Sequence, residues 1–403
     1  VTTDIDSRAS WIRLAAATAL GTVGGVGMWS VVVVLPAVQA EFGATRAEAS
    51  LPYTLLMIGF AVGGILMGRI SDRFGVLVPI LVSAAALGLG YLAAGFATSL
   101  WQVALAHGLL IGFLGSSAMF GPLMADVSHW FQRHRGKAVA IAASGNYLAG
   151  ALWPPIVQHF TATVGWRWTY VGIGLACVAL MLPLSFAMRR RTPSRGVAGG
   201  AAPAVAPKAL PVPANVLMGL LCVAGVACCV AMAMPQVHIV AYCGDLGYGV
   251  ARGAEMLSLM LAFGIISRVA TGFIADRIGG LMTLLLGSTL QGVALFLYLL
   301  FDGLTSLYVI SILFGLFQGG IVPSYAIIVR EYFAPSEAAT RVGIVLSATI
   351  IGMALGGWLS GVIFDLTGSY AYAFFNGLMW NLLNVAIAVW LIAASGKRKL
   401  KPA

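Results

Sequence analysis

Runs of about 20 mostly apolar residues alternate with short polar stretches twelve times along the chain. They cover approximately 14–37, 49–68, 76–96, 101–125, 137–159, 168–188, 213–238, 254–274, 281–301, 305–329, 340–363 and 371–394. A helix of that length, rising about 1.5 Å per residue, crosses roughly 30 Å of hydrocarbon. The pattern predicts an all-α membrane protein with twelve transmembrane helices. Between the sixth and seventh runs lies RRRTPSRGVAGGAAPAVAPKALPVP, basic, rich in Pro, Gly and Ala, and without helical period. It predicts a linker at 189–212 between an N-terminal six-helix bundle (1–188) and a C-terminal one (213–403).

The two halves repeat. GRISDRFG (68–75) follows the second run and GFIADRIG (272–279) follows the eighth. Glycine suits a tight turn and close packing there, and Asp and Arg suit pairing or capping at helix ends. Two copies at matching places predict two pseudo-symmetric bundles from a duplication. They make Asp72, Arg73, Asp276 and Arg277 candidate conformational residues.

Composition agrees. Hydrophobic residues are 60% and charged residues 9%, against about 25% charged in soluble domains. The opening VTTDIDSRAS runs into an apolar segment too long for a signal core, so no cleavable signal is expected. The net charge of +10 does not point to nucleic acid, because 19 of the 23 Lys and Arg fall in the termini or in every second loop. Arg46, Arg167 and Arg252 lie in the opposite loops. This bias predicts both termini in the cytoplasm of a cell-membrane protein. The five cysteines show no metal or redox spacing, and no cofactor site is read.

One charge breaks the pattern. Arg268, in GIISRVATGFIADRIGG, lies eight residues before Asp276, roughly 12 Å into the membrane. A cation there costs at least about 2.5 kcal/mol by insertion scales. Its helical neighbours Gly264 and Gly272 leave a small face, open either to close packing or to a ligand. The 13 acidic residues all fall near predicted helix ends, in loops or in the N-terminal tail. Backbone carbonyls and water would satisfy Arg268, and so would an exchangeable anion, whose carboxylate a planar guanidinium binds bidentately.

Twelve helices in two halves, the duplicated loop and the central linker resemble the major facilitator superfamily. WFQRHRGKAVAIAASGNYLAGALWPP (130–155), and the stretch from HIVAYCGDLGY (238–248) into the helix of Arg268, are similar to its monocarboxylate transporter and oxalate/formate antiporter branches. The resemblance implies that Arg268 binds a substrate carboxylate and that the loop aspartates latch the cytoplasmic side. It also implies a cavity lined by helices 1, 4, 7 and 10, with 5, 8 and 11 contributing. Candidate substrate contacts there are Trp29, Phe120 (where relatives often carry tyrosine), Asn146, Tyr147, Gln318 and Tyr325. His107 and His238 are candidates for proton movement, with helix packing as the alternative.

The chain departs from the mammalian pattern. Gly264 stands where an acid would precede the arginine, and an apolar run around GVGMWS replaces a lysine in the first helix; where the dicarboxylate antiporter branch has a second cation, a lysine on helix 11, this chain has only Arg341, at the cytoplasmic start of that helix. One mid-membrane cation favours a monoanion. The expectation is a non-enzymatic secondary transporter of small monocarboxylates, lactate- or pyruvate-like, in symport with a proton by alternating access, acting as a monomer in the lipid bilayer. The alternatives are an organic-anion exchanger, a drug-type exporter, or a carboxylate sensor without transport.

Overall fold

The computed structural model describes residues 5–190 and 212–396. Most of the expected linker, and the basic residues Arg191, Arg195, Lys208, Lys397, Arg398, Lys399 and Lys401, lie outside the described residues.

Every regular element among the described residues is helical. The helices are α1 (Arg8–Phe42), α2 (Arg46–Phe74), α3 (Leu77–Gly95), α4 (Leu100–Trp130), α5 (Arg135–Val164) and α6 (Trp166–Phe186). The second half holds α7 (Ala214–Asp245), α8 (Val250–Ile278), α9 (Gly280–Leu300), α10 (Leu304–Tyr332), α11 (Pro335–Thr367) and α12 (Tyr370–Gly396). Eleven are long and apolar enough to cross a membrane. The exception is α5, which has 30 residues but is less apolar, because Ser144, Asn146, Gln158 and His159 interrupt its run. The twelve expected helices are all present among the described residues.

Helix ends follow local chemistry. The Ser7 hydroxyl accepts from the Ser10 N–H and starts α1, six residues before the apolar run. Thr45 and Glu48 form a reciprocal capping box at the start of α2. The duplicated loops turn at Gly75 (φ +86°) and Gly279 (φ +80°), conformations that an L side chain rarely adopts.

The described residues form two compact units. Unit 1 holds 5–190 together with 240–261, and unit 2 holds 212–239 together with 262–396. The segment that ends α7 and begins α8 therefore packs with the first half of the chain.

Unit 1 centres on α4. Its stretch Ala106–Gly115 is wound as a π-helix and continues as a 3₁₀ turn, Ser116–Met119, before a kink at Phe120 (φ −124°, ψ −81°). π-Helical stretches persist where packing enforces them. Here Gly59 and Gly63 of α2 let the α4 backbone approach at Gly108 and Phe113, and the Ser83 hydroxyl of α3 donates to Gly115 O at 2.7 Å.

Three arginines fasten unit 1. Arg13 reaches Asp126 through two hydrogen bonds of 2.7 and 2.8 Å, donates to Arg190 O at 2.9 Å, and lies over the Trp130 ring. Arg46 pairs with Asp245 at 3.0 Å. Arg167 pairs with Glu41 at 2.7 Å and donates to two carbonyls.

Unit 2 has an apolar core that includes Leu221, Leu284, Ile328, Phe333 and Leu391. α10 is interrupted at Gly319 and Gly320, between helical segments Leu304–Gln318 and Ile321–Tyr332. Irregular backbone at membrane depth is tolerated only where protein or a water-filled cavity covers it.

Candidate functional site

Arg268 lies on α8, half-buried, beside the interruption in α10. Its Nε donates to Gly319 O across 3.5 Å, the long limit for a hydrogen bond. The helices meet closely here because both sides are small. A Cβ on Gly319 would strike Gly264 O and Ser267, and one on Gly320 would strike the Thr271 side chain. The Gly264 side of the small face is thus used for packing, whereas nothing lies within 4 Å of a Cβ built on Gly272.

Buried polar groups gather at this crossing. Gln318, the last residue before the interruption, is fully buried, and its Oε1 accepts from Gln236 Nε2 of α7 at 2.7 Å. Gln318 Nε2 has no hydrogen-bond partner, and neither does the buried Ser267 Oγ. Each such atom costs about 1–3 kcal/mol unless something answers it. Together they supply a fixed positive fork, an unspent amide donor and an unspent hydroxyl, a set suited to a small anion that also bears a polar substituent.

The other expected residues divide between two regions. In unit 1, Trp29 and Asn146 are brought together, with Trp29 Nε1 donating to Asn146 O at 3.2 Å. Asn146 Oδ1 is buried without a partner, near the Gly25 junction between the two segments of α1. Tyr147 is buried on the same helix, beside Gly145, whose backbone packs against Thr18 O and Gly21 of α1. Phe120 occupies the α4 kink, its ring centroid 6.4 Å from that of Phe60.

Tyr325 belongs elsewhere in unit 2. It is fully buried, its hydroxyl donates to Asn384 Oδ1 at 2.9 Å, and Asn384 Nδ2 donates to Ser288 Oγ at 2.7 Å. Its polar group serves the core of that unit. Both histidines have both ring nitrogens engaged. His107 contacts Val103 O (2.8 Å) and the Tyr170 hydroxyl (3.2 Å), and His238 contacts Gly357 O (2.8 Å) and the Tyr370 hydroxyl (3.1 Å). Asp72, Arg73, Asp276 and Arg277 are exposed at the duplicated corners, and among the described residues no ion pair holds either aspartate.

Gln236 and Ser267 were missed at the level of sequence. Gln236 offered a signal, an amide inside the long apolar run of α7, where an unanswered polar group is costly. Ser267 offered none, since a helical serine ordinarily bonds its own backbone.

Two halves of membrane-crossing helices, each carrying a Gly–Asp–Arg–Gly corner, with one helix interrupted beside a half-buried cation, define a multi-pass carrier architecture. The chain belongs to the Major Facilitator Superfamily, whose family model matches residues 18–305 and 244–403. Monocarboxylate transporter 13 of Bos taurus is 29% identical over 356 residues, covering 86% of this chain and 78% of the relative. Agnestins efflux protein AgnL12 of Paecilomyces divaricatus is 24% identical over 329 residues, covering 79% and 72%. Among solved structures, a bacterial homologue of the human lysosomal transporter Spinster, in an inward-facing and occupied conformation, aligns with a TM-score of 0.70. It covers 95% of this chain and 94% of that one at 16% identity, a likeness of fold. Family and fold are those of membrane transporters, not of enzymes.

Proposed function

We propose that this protein is a secondary active transporter of small monocarboxylates, lactate- or pyruvate-like, moved with a proton by alternating access. One observation carries the reading: a half-buried arginine beside a helix interruption, next to two buried polar atoms with nothing to bond. Arg268 holds the carboxylate, and Gln318 Nε2 and Ser267 Oγ answer its second polar group. Asn146 is a separate candidate in unit 1, its buried side-chain carbonyl having no hydrogen-bond partner. The similarity to a bovine monocarboxylate transporter supports a carboxylate cargo.

In this reading the anion neutralises Arg268, which lowers the cost of burying the site when access alternates. The proton travels on the substrate or on a group near it. Asp72, Arg73, Asp276 and Arg277 act on turnover rather than on affinity. The protein works as a monomer in the cell membrane with both termini in the cytoplasm. The efflux relative favours one second reading, export through the same site.

Thermal shift of the purified protein against a series of carboxylates tests the assignment. Short monocarboxylates should raise the melting temperature of the wild type and leave Arg268→Gln unmoved. Equal stabilisation of both proteins would remove Arg268 from the site.

A further inference from the structure

A glutamine presents either a donor or an acceptor, because its amide carries both at equal reach. Where α7 meets α10 in unit 2, a second glutamine makes that choice. Gln236 of α7 is 3% exposed, and Gln318, at the end of the first α10 segment, is fully buried. Gln236 Nε2 donates to Gln318 Oε1 at 2.7 Å. The acceptor of Gln318 is therefore spent, and its donor, Nε2, is left without a partner.

The left-over donor stands beside the arginine. Gln318 precedes Gly319, whose carbonyl receives Arg268 Nε at 3.5 Å, and a Cβ at Gly319 would lie 3.0 Å from Ser267 Oγ. Ser267 Oγ is also buried with nothing to bond, but a hydroxyl donates or accepts and so does not discriminate. The amide does. A donor whose own acceptor is already occupied matches an oxygen lone pair and opposes another N–H.

We infer that Gln236 is a positioning residue that fixes the polarity of Gln318, and that the site therefore selects carboxylates with an acceptor oxygen at C2. The inference rests on the reading that Arg268 holds a carboxylate. A 2-oxo group accepts from Gln318 Nε2, and so does a 2-hydroxyl. An unsubstituted acid leaves the buried N–H unanswered, which costs at least about fivefold in affinity. A 2-ammonium group has donors only, so it meets Nε2 donor against donor and is rejected.

Competition of unlabelled acids against labelled pyruvate on the purified full chain tests it. Wild type should bind pyruvate and lactate at least about fivefold more tightly than propionate, and alanine more weakly still. Gln236→Met frees the Gln318 amide to turn its Oε1 toward the ligand, so alanine should gain at least about fivefold relative to pyruvate. Gln236→Asn, one methylene too short to reach Gln318, should act the same way and carries the test if the methionine variant does not fold. Gln318→Met should bind pyruvate, lactate and propionate alike. A packing role alone would weaken all acids together. An unchanged alanine-to-pyruvate ratio in the Gln236 variants would therefore overturn the positioning role, as would discrimination that survives in Gln318→Met. Propionate that binds wild type as tightly as pyruvate would overturn the selection while leaving Arg268 as the carboxylate site. Wild type that binds no pyruvate would overturn the carboxylate reading, and this inference with it.

Discussion

Arg13 and Arg268 both project from apolar helices, and their surroundings differ in kind. Arg13 in unit 1 is 3% exposed and meets a carboxylate of equal burial through two short bonds, a carbonyl through a third, and an indole face. Around Arg268 in unit 2, the bond to Gly319 O is long, and an amide nitrogen and a hydroxyl stand buried with nothing to bond. A cation held bidentately by a buried carboxylate acts as a fastener. A cation amid unspent polar groups, at an interrupted helix, marks a place for something that comes and goes.

Substitutions should separate the two kinds. The largest effect belongs to Arg268→Gln, which should reduce uptake by at least about 100-fold, the loss expected when a buried charge-assisted contact worth about 3 kcal/mol is removed. Its melting temperature without ligand should stay close to that of the wild type. Arg268→Lys should also be impaired, because a point charge does not reproduce a fork. Asp126→Asn should do the reverse. Leaving Arg13 buried beside a neutral partner costs about 3–5 kcal/mol of stability, readable by denaturation in detergent. Protein that survives should still be stabilised by carboxylates, and loss of that response at intact stability would contradict the distinction.

Gln318→Leu sharpens the site itself. Removing an amide that is only half satisfied should cost affinity of about 1 kcal/mol, a fewfold rise in the apparent KM, with maximal rate largely kept. A variant with unchanged KM would leave Gln318 as packing alone.

The smallest effect concerns the N-terminal clasp. Asp6 accepts from the N–H groups of Gln132 and Arg133, and the Arg133 donor foremost holds its carboxyl below the ordinary value of 3.8. A carboxyl lowered by folding stabilises above its unfolded value and loses that contribution as pH falls through its folded one. Wild type and Asp6→Asn should therefore differ slightly in melting temperature at neutral pH and converge in acid below 3.8. A difference that persists in acid would assign the clasp to something other than charge.

Much of the fold was legible in the chain, because span length, loop charge and a duplicated corner are local features. Arg268 was legible for the same reason: one charge in an apolar run is visible without partners. Its neighbours were not. Residues 108–115 of α4 are apolar throughout, so their pattern carries no facing and no hint that this stretch winds as a π-helix. Gln236 and Gln318 are 82 positions apart, and Arg46 and Asp245 are 199 apart, distances at which spacing says nothing about contact. Tyr325 looked like any aromatic on a cavity helix, and only the amide of Asn384 on α12 shows that its hydroxyl turns into the core.

Flux through Arg268 is the central claim, and reconstituted uptake tests it most directly. Proteoliposomes containing no organic anion, with the outside acidified, should accumulate labelled lactate. A proton ionophore should collapse the accumulation, and Arg268→Gln should abolish it. Uptake that ignores the pH gradient and appears only in vesicles preloaded with carboxylate would contradict proton symport, and normal accumulation by Arg268→Gln would contradict the site.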